Sequence, residues 1–478
     1  MASQRIVARQ AREFVPPQFS RSFYRFALLV GPLYMRAAQG VRETRVAGMH
    51  HLHAAVRRFQ RAESRLLILF RHVDVADGPV ILKLVMQELP HWCRVTGNRL
   101  PADPHTHFLF GRDVLNWAGP PARLAFPRLG GIPVTNERIY RQSQETVREI
   151  VRNGAFPLAF APEGQVTYHQ FTSFPPVAGA STLPAWAWEA WGEKRAVDVL
   201  PVSIGYTYGA RSESVLRDTA QRIAAELTAS GERAADSSGE PSADPPPEPP
   251  GAGAGPVEWA GYLRDLTRLI VDQLERDYPF ITDREGPGAA VFMDDTTLQA
   301  RIDRLTDTAL RTGERATGLP SDGTVLSRVF RLRYWIMSSW HRDDVDLESL
   351  SPAERALADN RAAVATAVRP YERLADIMEY LHPAYLDAVA VQVAARAWDR
   401  LVEYALNLCD VLNRLGGGSV DTRYSPGGRI ARLVVGAPLD AAAAFREAGS
   451  RRAGMRLLNE EVAVRLRTVT GELERYPE

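Results

Sequence analysis

Residues 65–89 read RLLILFRHVDVADGPVILKLVMQEL. The unbroken apolar run Leu66–Phe70, bounded by polar residues, is the pattern of a strand buried on both faces. From Val80 the apolar residues return at helical spacing, and Gly78-Pro79 suits the first turn of that helix. His72 therefore stands at the carboxyl end of a buried strand and Asp77 just before a helix, a common place for ligand-binding side chains in α/β sheets. Histidine ordinarily titrates at about pH 6.5, so an imidazole there can take a proton from a hydroxyl at neutral pH. A carboxylate on its second ring nitrogen would fix the tautomer and stabilise the imidazolium that forms. Asp77 reads equally well as a helix cap, and Asp74 is a second candidate partner.

Outward from this stretch the first half keeps one rhythm. Apolar runs at 106–110, 131–135, 156–161 and 197–204 alternate with amphipathic stretches at 79–89 and 145–152, as strands interleaved with helices do. Residues 230–256, SGERAADSSGEPSADPPPEPPGAGAGP, hold no aromatic or branched aliphatic residue and cannot bury enough apolar surface to order themselves. Beyond them, 259–274, 298–310, 352–380, 386–415 and 444–466 carry apolar residues at three-and-four spacing. Ser351-Pro352 with Glu354 is a helix start, Gly416-Gly417-Gly418 a stop, and Ile430–Val435 one interrupting strand. The expected organisation is an N-terminal helical segment over 1–40, an α/β domain with a central mixed sheet and flanking helices over 41–229, a disordered linker over 230–256, and a mainly α-helical domain over 257–478.

The 478 residues carry a formal net charge of +1, which gives no global attraction to nucleic acid. Lys83 and Lys194 are the only lysines, a bias that coding composition explains without phosphate recognition. Cys93 and Cys409 lie far apart with no metal-ribbon spacing, which suits a reducing cytoplasm. His50, His51 and His53, then His105 and His107 with His91, invite a metal reading, but no set has ligand spacing; surface or interface histidines are expected. Ser173, Ser181 and Ser203 lack the GxSxG elbow of a serine hydrolase. Trp186, Trp188 and Trp191 read as helix packing before they read as an acyl pocket. No apolar run approaches the roughly 18 to 20 residues that span a bilayer. The nearest, FALLVGPLYM at 26–35, is flanked by Arg21, Arg25 and Arg36, and either packs on the α/β domain or lies in a membrane interface.

Taken together, the motifs resemble the glycerolipid acyltransferases, the family of lysophosphatidic acid and glycerol-3-phosphate acyltransferases. The family's NH-x4-D block is similar to Arg71-His72-Val73-Asp74-Val75-Ala76-Asp77, and its FPEG block to Phe160-Ala161-Pro162-Glu163-Gly164. Between them Gly131–Arg138 resembles the second motif, a Gly-apolar run ending in arginine; downstream, Val199-Leu200-Pro201-Val202 resembles the fourth. The four occur in family order across roughly residues 40 to 215.

The resemblance implies an acyl transfer in phospholipid synthesis, with His72 as base and Asp77 as its orienter. It implies an acyl thioester donor, acyl-CoA or acyl-carrier protein, as co-substrate, with no separate cofactor and no metal. Arg138 would bind the phosphate of a lysophospholipid or glycerol 3-phosphate acceptor, Glu163 would hold its hydroxyl, and Gly164 would let the backbone approach it. The protein would be cytoplasmic, with peripheral contact at the inner face of the membrane. Three departures bear on the acceptor: Arg71 stands where the family has asparagine, Asn136 where its second-motif arginine sits, and Gln165-Val166-Thr167 follow the third motif in place of Thr-Arg-Ser. Arg112 is an alternative to Arg138. A non-phosphorylated lipid alcohol as acceptor, or a non-catalytic lipid-binding protein on the same fold, are the alternatives.

Overall fold

A computed structural model describes residues 6–11, 14–112, 114–135, 141–238, 245–251, 253–277, 297–391 and 396–476. The chain divides into two compact units, one made of Phe14–Ser212 with Ser425–Glu478 and the other of Met1–Glu13 with Glu213–Tyr424.

The first unit is α/β. In chain order it holds α1 (Arg21–Ala37), β1 (Val41–Ala47), α2 (Met49–Gln60), β2 (Ser64–Phe70), α3 (Asp77–Lys83) running through a π turn into α4 (Leu89–Thr96), and β3 (His107–Gly111). There follow α5 (Gly119–Arg128), β4 (Gly131–Val134), α6 (Arg141–Asn153), β5 (Leu158–Phe160), α7 (Thr182–Trp191), β6 (Ala196–Thr207), β7 (Arg429–Val435), α8 (Ala441–Glu447) and α9 (Arg451–Arg475). The mixed sheet has the order β1-β7-β6-β2-β5-β3-β4, and a two-residue strand at Leu439–Asp440 also pairs with β6. Strands β6, β2, β5, β3 and β4 are parallel to one another, β7 runs antiparallel to β6, and β1 is parallel to β7.

The central strand explains its own sequence. Every residue of β2 is buried. Leu66, Ile68 and Phe70 face a layer containing Leu52 and Val56 of α2, Val80 and Ile81 of α3, and Leu89 of α4. Leu67 and Leu69 face the other layer, with Val147 and Ile150 of α6, Phe445 of α8 and Leu466 of α9. A strand covered by helices on both faces has no polar positions to alternate with, hence the continuous run.

The units do not follow the boundaries expected at 229 and 257. Residues Arg429–Val435, read as a strand interrupting a helical domain, are fully buried and pair with β1 on one side and β6 on the other. The C-terminal segment thus completes the α/β sheet, while Ser212–Ser238 forms a helix whose greater part belongs to the other unit. The compositional break at residue 230 reflects a segment with nothing to bury. It does not mark the edge of a fold. Residues 230–238 continue that helix, 239–244 and 252 lie outside the described residues, and the next helix begins at Pro256.

The second unit is helical. Its helices include Leu298–Thr317, Val325–Trp340, Pro352–Met378 and Ala397–Leu415; the third starts with the expected capping box of Ser351 and Glu354, and the last stops before Gly416. The N-terminal residues Arg9–Gln10 pair with His341–Arg342 in this unit. Among the described residues no helix is long and apolar enough to cross a membrane.

Candidate active site

The parallel strands β2 and β5 are neighbours, so the loops leaving their carboxyl ends are neighbours too. The first carries Arg71 to Ala76; the second carries Ala161 to Gly164. The first loop ends on Asp77, the opening residue of α3, whose carboxylate is wholly buried. Its Oδ2 accepts from the backbone N–H of Val73 at 2.6 Å and of Asp74 at 2.8 Å, and lies 3.0 Å from Nδ1 of His72. Its Oδ1 accepts from the Tyr206 hydroxyl at 2.6 Å. Burial pushes the Asp77 carboxyl above its ordinary range, and the hydrogen bonds from His72 and Tyr206 oppose that rise.

Every other neighbour of this carboxylate is a donor, so Nδ1 of His72 donates as well. The Nε2 lone pair is then directed away from Asp77. The His72 side chain is 25% exposed, enough for that nitrogen to meet a substrate, while Asp77 has no exposed surface. Thr167 fixes the loop from the far side: its N–H and its hydroxyl both donate to the His72 carbonyl, at 2.7 and 3.1 Å.

Glu163 and Gly164 come to the same edge. Gly164 has φ of +77°, a left-handed turn that favours glycine. Glu163 is 1% exposed, with Oε1 3.4 Å from Nε of Arg71. Burial raises its carboxyl, and the Arg71 charge and the His72 backbone N–H lower it in opposition. Glu163 thus lies against Arg71 and the base of the His72 loop, with almost no surface left for an acceptor.

Arg71, the departure from the family's asparagine, is fully buried. Its guanidinium donates to the carbonyls of His169 at 2.8 Å, Gln170 at 2.9 Å and Thr172, and to Thr470 Oγ1 of α9 at 3.3 Å. The planar fork ties the end of β2 to loop 169–172, a task asparagine is too short to perform.

Tyr206 and Arg429 belong to the site, although the sequence motifs did not point to them. Phe70 pairs with Val202, so the longer β6 runs on past the end of β2 and sets Tyr206 beside Asp77. Arg429, at the start of β7, donates to both carboxylate oxygens of Asp74 at 2.7 and 3.3 Å and to the Gln39 carbonyl at 2.8 Å. Its guanidinium also lies 4.6 Å from the Tyr206 ring centre. Tyr206 is placed by the register of β6 on β2, and Arg429 by that of β7, so nothing local in the sequence singles out either.

Arg138 lies outside the described residues, with the rest of 136–140. Gly131–Val134 is β4, and Arg112 follows β3 with its N–H donating to the Val134 carbonyl at 2.9 Å. His105 and His107, expected at a surface, are buried: their rings pack on Phe156, and they bond to the carbonyls of Leu129 and Gly130. Burial holds His105 down at about 3 and lowers His107 as well. Among the described residues no group of His, Cys, Asp and Glu could hold a metal ion. Trp188 stacks on Phe445 of α8 at 4.9 Å, and Trp191 donates to the Arg152 carbonyl at 2.6 Å, both as packing elements.

His72 and Asp77 thus stand paired on one loop, with Glu163 and Gly164 on the loop beside it. No family model, no curated protein and no solved structure matches the chain.

Proposed function

We propose that the α/β unit is an O-acyltransferase that moves a fatty acyl group from acyl-CoA or acyl-carrier protein to a hydroxyl of a lysophospholipid resembling 1-acyl-glycerol 3-phosphate. The observation that carries this reading is the 3.0 Å contact of His72 Nδ1 with Asp77 Oδ2, which leaves Nε2 as the basic nitrogen.

In the reaction, Nε2 takes the proton of the acceptor hydroxyl as its oxygen attacks the thioester carbonyl. Asp77 stabilises the imidazolium that forms. The tetrahedral intermediate collapses to the ester, the carbon–sulfur bond breaks, and the imidazolium returns its proton to the thiolate. The products are ester and free thiol, with no acyl-enzyme. Arg138 is the residue we assign to the acceptor phosphate, and Gly164 to close backbone approach. Glu163 acts through Arg71 and the His72 loop, as a positioning residue.

The acceptor is drawn from the inner face of a membrane. Phe26, Leu29 and Leu33 of α1 support this: they are 54%, 80% and 70% exposed, opposite the buried Tyr24 and Met35, and Arg21, Arg25 and Arg36 flank them. The free, buried thiols of Cys93 and Cys409 suit a reducing compartment.

The test is thiol release from palmitoyl-CoA by the purified chain, with and without lysophosphatidic acid, beside His72→Ala. Acceptor-dependent release that vanishes in the variant supports the reading. Equal release with a non-phosphorylated lipid alcohol would remove the phosphate role of Arg138. Absence of release with every donor and acceptor tried would leave lipid binding without catalysis.

A further inference from the structure

Asp77 does not meet His72 as an isolated carboxylate. Its second oxygen is held by Tyr206, and the same loop bears a second acid, Asp74, one turn earlier. Two carboxylates on one short loop repel each other, and Asp74 raises Asp77. Arg429 answers this by taking both oxygens of Asp74, with its own side chain 6% exposed. Asp74 Oδ1 also accepts the Ala76 N–H at 2.9 Å, while the Asp74 N–H donates to Asp77. The guanidinium thus fixes the turn that supplies two of the donors to Asp77, and its stacking on Tyr206 fixes the third.

We propose that Tyr206 and Arg429 are positioning residues of the His72–Asp77 pair, and that the reactive site is complete only when the C-terminal strand β7 is in the sheet. The inference rests on the acyl-transfer reading for its kinetic consequence, but its physical consequence is separate. The charged groups facing His72 are Asp77 and Asp74 on its own loop, Tyr206 from β6, Arg429 from β7, and Glu163 with Arg71 behind it. Removing the phenol leaves the whole charge of Asp77 to the imidazole. The imidazolium is then favoured, and His72 titrates at higher pH. Removing Arg429 leaves Asp74 uncompensated and moves His72 in the same direction.

The experiment compares the full chain with Tyr206→Phe, Arg429→Gln and Arg429→Lys by two readouts. One is the pH profile of thiol release from palmitoyl-CoA with lysophosphatidic acid. The other is the imidazole 15N titration of His72, assigned by its loss in His72→Ala, which needs no substrate. Expected for Tyr206→Phe is a kcat about tenfold lower, the strength of one hydrogen bond to a charged group, with KM unchanged and the acid limb at higher pH. Arg429→Gln follows it, and Arg429→Lys, which keeps the charge but loses the bidentate fork, lies between. Wild-type profiles and an unmoved His72 titration in folded Tyr206→Phe and Arg429→Gln would overturn the inference. So would lower thermal midpoints with an unmoved titration, since packing alone would do that. If the wild-type chain releases no thiol, the acyl-transfer reading falls, and the His72 titration still decides this one.

Discussion

Oδ2 of Asp77 and Nδ1 of His72 are 3.0 Å apart at the carboxyl edge of the sheet, the carboxylate with no exposed surface and the imidazole with a quarter of its own. On the proposed acyl-transfer reading, that difference in burial makes Asp77 the orienter and His72 the base. Asp77→Asn should therefore lower kcat by roughly 10³ to 10⁴ while leaving donor KM within about twofold, as loss of tautomer control does elsewhere. Stopped-flow thiol detection on the purified variant checks this; a KM effect alone would count against the assignment.

Arg71 should prove a pillar of the fold. Arg71→Asn, which introduces the residue that the resembled acyltransferases carry, strands three loop carbonyls and Glu163. A buried ion partner removed in this way costs roughly 3 to 5 kcal/mol. Arg71→Lys should recover little of it, because an ammonium cannot span the same acceptors. Chemical denaturation read by circular dichroism gives the comparison.

Acid should weaken the α/β unit through His105 and His107. Burial holds His105 at about 3, so the folded state stays unprotonated where the unfolded chain, near 6.5, gains a proton. For a depressed group the stabilisation is complete above the unfolded value and is lost as pH falls toward the folded one. Between pH 7 and 5 the loss from His105 should be about 2 kcal/mol, with His107 adding in the same direction. Urea titrations of His105→Phe across that interval should show a pH slope smaller by about one proton.

The outward face of α1 should carry membrane contact. Leu29→Asp with Leu33→Asp introduces charge where 80% and 70% of each side chain is exposed, so folding should be untouched. Flotation with vesicles containing anionic phosphatidylglycerol should be lost, and flotation equal to wild type would remove α1 from the reading.

Residues 41–229 expressed alone should give no cooperative unfolding transition, because β1 and β6 would both lack β7 between them. Adding residues 425–478 in trans, or on a short linker, should restore one. A stable, cooperative 41–229 fragment would refute this.

Much of the candidate site's geometry was legible because it is local. The run Leu66–Phe70, the five-residue step from His72 to Asp77 and the Pro162-Glu163-Gly164 turn each lie within one strand and its loop, where period and turn residues speak directly. The linker over 230–256 misled, since its composition reports solubility and not topology. Tyr206 depends on the register between two strands, which the chain does not write in either of them. Arg429 is 355 positions from Asp74, and Arg71 bonds mainly to backbone carbonyls, which leave no pattern of residue types. The burial of His105 and His107 followed from neighbours on α1 and on the loop before β5, equally beyond a local reading.

The place of β7 in the sheet has a consequence for biosynthesis. On the ribosome, β6 emerges about 220 residues before β7, and the Glu213–Tyr424 part of the helical unit is made in between. At roughly 5 to 20 residues per second the nascent chain spends on the order of 10 to 45 s with one edge of β6 unfilled. Over that interval the α/β half presents an open, buried-type strand edge to any chaperone that recognises one. A message broken between the codons for Asp77 and Arg429 would yield a protein with His72 and Asp77 in its sequence but without the strand that finishes their sheet.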